Sequence, residues 1–126
     1  MLALTRGAHH VSLDVRDVAV SRAFYGELLG LPEIERPEIG LPGAWYQAGA
    51  VQLHLIQVPE GVDVGRPAAQ PTPLANHLAF EIDDLEAVEA ALRAAGCGVI
   101  SLAKRSGQLF VADPDGNMIE FIRPPR

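Results

Sequence analysis

Apolar and polar residues alternate over HVSLDV (10–15) and again over HLAFEI (77–82). A period of two marks a strand with one buried face. Each stretch runs into helical spacing. In the second, Leu85, Val88, Leu92 and Ala95 form one apolar stripe, with Glu86 and Glu89 off it. Asp17 and Asp84 stand where N-caps are expected, and Gly30 and Gly96 where the helices should stop. Short strands are then expected at about 33–39, 43–49 and 51–58, and at about 98–103, 108–113 and 117–123. Asp115–Gly116 reads as the hairpin turn between the last two.

The two patterns are one pattern used twice. With His10 placed over His77, HVSLDVRDV (10–18) lies on HLAFEIDDL (77–85), and only Arg16 against Asp83 breaks the match. Putting His9 in place of His10 would set Ser12 against Phe80 and Leu13 against Glu81, so the register selects His10. The ends repeat as well: LHLI (53–56) lies on IEFI (119–122), which pairs His54 with Glu120. The expectation is an α+β domain spanning 1–126. It is built of two βαβββ modules, about 7–58 and 77–123, forming a curved, cleft-bearing mixed sheet with the helices on its convex side. PEGVDVGRPAAQPTPLAN (59–76) has no periodicity and reads as a linker that could cover a site or allow exchange between chains.

Composition narrows the function. A chain of 126 residues suffices for one core, and a net charge of −6 without a Lys/Arg cluster argues against nucleic acid and anionic membranes. No apolar run approaches the ~18 residues of a membrane span. MLALTRGAHH is too short in apolar residues for a signal peptide, so a cytoplasmic protein is expected. The one cysteine, Cys97, excludes an intrachain disulfide and reads as a small apolar filler.

Strand alternation turns the candidate chemistry to one side. Val11, Leu13 and Val15 share a face, which leaves His10, Ser12 and Asp14 on the other. The same reasoning sets His77, His54 and Glu120 opposite the greasier faces of their strands, toward the concavity of the sheet. Three imidazoles and a carboxylate suit a borderline divalent metal such as Zn, Ni, Mn or Fe(II). His9 falls on the opposite face by the same count and reads as structural.

HHVSLDVRDVAVSRAFYGELLGL (9–31), NHLAFEI (76–82) and LFVADPDGNMIEFI (109–122) resemble the vicinal oxygen chelate superfamily, which includes glyoxalase I, fosfomycin thiol transferases, bleomycin-resistance proteins and extradiol dioxygenases. By that resemblance His10, His77 and Glu120 match the shared metal triad, and His54 the fourth position. That position is Glu in glyoxalase I and Gln in methylmalonyl-CoA epimerase, so His54 is a departure. The resemblance implies one divalent metal ion per site and a glyoxalase-like lyase or isomerase. Its substrate would be a small molecule, such as a thiol conjugate, that chelates the metal through adjacent oxygens. Glu120 and His54 are the proton carriers, and Trp45, Tyr46 and Phe110 are candidate walls of the cleft. It also implies a homodimer whose sites combine modules from both chains. The alternatives are a fosfomycin-type thiol transferase, for which Lys104, Arg105 and Ser106 are a partial match, and a metal-free binder of small molecules or drugs. Ring cleavage is disfavoured, because Phe110 replaces the Tyr that dioxygenases need.

Overall fold

The computed structural model describes residues 3–125; the first two residues of the MLALTRGAHH segment lie outside them. The first module runs β1 (His10–Val15), α1 (Val18–Arg22), a π-helical continuation (Ala23–Leu28), β2 (Glu33–Ile34), β3 (Gly43–Ala48) and β4 (Val51–Gln57). The second runs β5 (His77–Glu81), α2 (Leu85–Ala94), β6 (Ile100–Ser101), α3 (Ala103–Ser106), β7 (Gln108–Ala112) and β8 (Met118–Ile122). The class is α+β, as expected, and the strands divide into two four-stranded sheets, β1-β4-β3-β2 and β5-β8-β7-β6. In each sheet the first strand pairs in parallel with the last, and the other pairings are antiparallel.

Both helices start as expected. The Asp17 carboxylate accepts from the Ala19 amide, and that of Asp84 from the Ala87 amide. Each satisfies a donor that the first helical turn leaves over. Gly30 and Gly96 follow the helices at φ 74° and 85°, where a Cβ would be strained.

The edge strands are shorter than expected. The strand foreseen at about 33–39 keeps only Glu33–Ile34, because pairing with β3 stops there and Pro37 has no N–H to extend the ladder. The strand foreseen at about 98–103 keeps only Ile100–Ser101. AKRS (103–106) forms a single helical turn, ended by Gly107 at φ 68°. Residues 59–76 carry neither helix nor strand.

One core serves both modules. Val15, Leu53, Leu55, Tyr46, Leu109, Val111, Ile119 and Phe121 from the sheets meet Phe24, Tyr25, Leu85 and Leu92 from the helices. Each large side chain so buried contributes about 1.5–3 kcal/mol. Cys97 packs against this core, and burial pushes its thiol up, consistent with its reading as a filler.

Polar contacts lock the first module's helix to the last hairpin of the second. Tyr25 donates its hydroxyl to Asp113 at 2.6 Å, and the backbone N–H and Nε of Arg16 both donate to Asp115 Oδ1. Asp113 also accepts from the amides of Asp115 and Asn117 and from Asn117 Nδ2. Burial and the Asp113 charge push the Tyr25 hydroxyl well above its ordinary range, so it remains a donor.

Candidate functional site

The two sheets carry equivalent rows of residues. In the first, His54 on β4 lies between Ser12 on β1 and Trp45 on β3. In the second, Glu120 on β8 lies between Ala79 on β5 and Phe110 on β7. His10 and His77 stand two residues before Ser12 and Ala79 on the outer strands. A small residue on one side and an aromatic on the other therefore flank each central polar group.

The row of the first sheet is stacked. The Trp45 indole lies on the His54 imidazole with centroids 3.9 Å apart and planes 2° apart, and His10 stacks on His54 at 4.1 Å and 14°. His54 is thereby held between two rings and is only 9% exposed. Its Nε2 is 2.8 Å from Gln52 Oε1, two residues back on the same face. Burial first, then the proximity of His10, His9 and Arg36, pushes the imidazole below its ordinary value. A neutral His54 keeps a ring lone pair for a cation or a proton.

His9 is a correction to the alternation argument. It precedes β1, which begins at His10, so the strand period does not govern it. Its Nδ1 lies 2.8 Å from that of His10, and its ring meets His54 edge-on at 6.5 Å. It belongs to the imidazole cluster and not to the opposite face.

The row of the second sheet is tied by hydrogen bonds. His77 Nδ1 lies 2.7 Å from the Ala75 carbonyl, which can only accept, so Nδ1 carries a proton. Nε2 is then the atom that faces Glu120 Oε1, at 2.9 Å. Two bare acceptors would repel at that distance, so the pair calls for a shared proton or a cation. Gln108 donates its amide N–H to the other carboxylate oxygen at 3.0 Å, and Phe110 sets its ring edge-on to His77 at 5.3 Å. Carbonyl-oriented imidazole and amide-oriented carboxylate are the usual outer contacts of metal ligands. The donor chemistry of both pairs fits a divalent metal.

The four residues do not meet within one chain. They form two pairs, His10 with His54 and His77 with Glu120. Among the described residues, no three His, Cys, Asp or Glu side chains come together closely enough to hold a metal ion. Sequence reasoning missed Gln52 and Gln108, which orient a member of each pair. Both lie on the concave side by alternation, two positions from His54 and opposite the Glu120 strand, and that placement was the available signal.

Two sheets of this topology, carrying equivalent polar rows, define the class of protein. The profile of the Glyoxalase/Bleomycin resistance protein/Dioxygenase superfamily matches residues 7–121, and the chain belongs to that superfamily. It is 36% identical over 119 residues to Glyoxylase I 4 of Arabidopsis thaliana, covering 90% of this chain and 68% of that protein. Among solved structures it is similar to a glyoxalase family protein of Bacillus anthracis, with TM-score 0.79 and 29% identity, covering 99% of this chain and 100% of the other. It is also similar to a glyoxalase/dioxygenase of Nostoc punctiforme, with TM-score 0.77 and 27% identity, covering 100% and 97%. Among the described residues no helix is long and apolar enough to cross a membrane.

Proposed function

We propose that the chain is a metal-dependent glyoxalase-type enzyme that works as a homodimer, with each site assembled from the His10–His54 pair of one protomer and the His77–Glu120 pair of the other. The observation that carries this reading is the division of the donors into two oriented pairs, each too small to hold a metal alone. A symmetric dimer brings two such pairs together twice.

What a bound divalent cation supplies is Lewis acidity toward two adjacent substrate oxygens, which makes the neighbouring C–H more acidic. The remaining work falls to side chains of this protein. Glu120 is oriented by Gln108 through one oxygen, and its Oε1, which faces His77 Nε2 at 2.9 Å, would leave that partner to accept the proton from carbon. His54, held neutral, is the second proton carrier: it takes the hydroxyl proton of the hemithioacetal and delivers it to the adjacent carbon, while Glu120 gives its proton to the former carbonyl oxygen, so that an α-hydroxy thioester results and both side chains regain their starting state. The Trp45 and Phe110 rings flank the two carriers and keep water from them.

The test is metal analysis after gentle purification, followed by assay with the hemithioacetal of methylglyoxal and glutathione. About one ion per chain and turnover abolished by chelation are expected. Less than about a tenth of an equivalent, with no uptake of added Zn, Ni, Mn or Fe(II), would leave the metal-free binder as the better reading.

A further inference from the structure

Arg36 is the least satisfied side chain of the first module. Its Nε and Nη2 are closed off from solvent and have no hydrogen-bond partner. These two nitrogens share one edge of the guanidinium, the edge that offers two parallel N–H donors to a carboxylate. Two enclosed N–H donors without partners are costly and therefore call for a reason, although the Arg36 side chain as a whole is only half-buried.

The position of Arg36 suggests that reason. The Arg36 guanidinium occupies the place of a Cβ on Gly43, and Gly43 stands two residues before Trp45 on β3, so the guanidinium lies on the face that carries Trp45 and His54. The space a side chain would fill at Gly43 is taken by Arg36: a Cβ there would lie 2.7 Å from its Cζ and Nε and would also collide with the Leu55 carbonyl. The missing side chain makes room for the guanidinium beside the site. Arg36 also lines a cavity of about 600 Å³ that the 33–44 segment forms with Val18 and Arg22, a lining that does not include His54 or Trp45. Glu33, Glu35 and Glu38 line that cavity too, yet none of them pairs with Arg36. Glu33 is engaged by Arg22 at 3.1 Å and Glu38 by the Gly40 amide.

We propose that Arg36 recognises a carboxylate on the molecule that enters this site, gripping it with the Nε–Nη2 edge once the 35–41 turn shifts. That turn has neither helix nor strand, so its movement breaks no sheet ladder. Calling the bound molecule a substrate rests on the glyoxalase-type reading; the binding itself does not. The substrate class is then an oxygenated small molecule with an anionic arm, its chelating oxygens near His54 and its carboxylate on Arg36.

Trp45 is the only tryptophan and lies on His54, so its fluorescence reports on this face. The experiment titrates metal-free full-length protein with benzoate, benzamide and inorganic phosphate. Saturable quenching by benzoate is expected, at least about tenfold tighter than by benzamide or phosphate. Arg36→Met should weaken benzoate binding about tenfold or more, with an unchanged or higher Tm, and Arg36→Lys should restore part of it. No saturable response to benzoate, or an equal response to benzamide or phosphate, overturns the proposal. So does an Arg36→Met protein that melts lower, fails to fold or fails to dimerise, because the guanidinium is then paired in solution. Metal uptake by Arg36→Met should equal wild type, so loss of the metal site and loss of the carboxylate site are read separately.

Discussion

Trp45 lies flat on His54, and the imidazole has His10 on its other face. The first strand, the last strand and the strand beside it thus contribute one ring each to a single stack. Replacing the indole by Leu should expose His54 to water and remove about 0.5–1.5 kcal/mol of stacking. The His54 ring signals, followed by NMR against pH, should then titrate closer to the ordinary 6.5 than in the wild type.

The depressed His54 imidazole also sets a pH dependence of stability. Its folded value lies below the unfolded 6.5, so the unfolded chain takes up its proton first as pH falls. This contribution is intact above about 6.5 and is lost as pH drops through the folded value. Urea unfolding at pH 7.5 and 5.5 should show a loss on acidification. His54→Gln should lessen that loss; an equal loss in the variant would assign it to other groups.

Division of the donors between protomers predicts complementation. His54→Ala and Glu120→Ala should each be inactive alone. When the two are mixed in equal amounts, unfolded and refolded together, half of the dimers are mixed, and each of those has one intact site of its two. About a quarter of wild-type activity should return. No recovery, with mixed dimers demonstrated, would place all four ligands on one chain.

The Tyr25–Asp113 contact is a separate, structural prediction. Asp113 is 5% exposed and accepts from four donors. Tyr25→Phe should cost about 1–3 kcal/mol, since one buried charged acceptor loses a partner. Asp113→Ala should cost more, about 3–5 kcal/mol, because four donors lose theirs. Chemical denaturation measures both.

Most of the fold was legible because the modules repeat. The pairing of HVSLDV with HLAFEI gave the outer strands, and Asp17 and Asp84 gave the helix starts. The pairing of His54 with Glu120 was legible for the same reason, since both occupy the same place in their sheets. What alternation could not reach lies outside regular strands. His9 stands one residue before β1, and its ring turns toward His10. Arg36 stands past the end of β2, and its environment depends on the missing side chain of Gly43. The helical turn at 103–106 has too few residues to carry a period.

The separation of the two polar pairs within one chain has a thermodynamic consequence. On the shared-site reading, an isolated chain offers a metal only two ligands, so tight uptake depends on the second protomer. Metal affinity then varies with protein concentration, and metal in turn tightens the dimer by the same factor. Dilution or chelation should each release both, so occupancy of the site doubles as a gauge of how much of the protein is present.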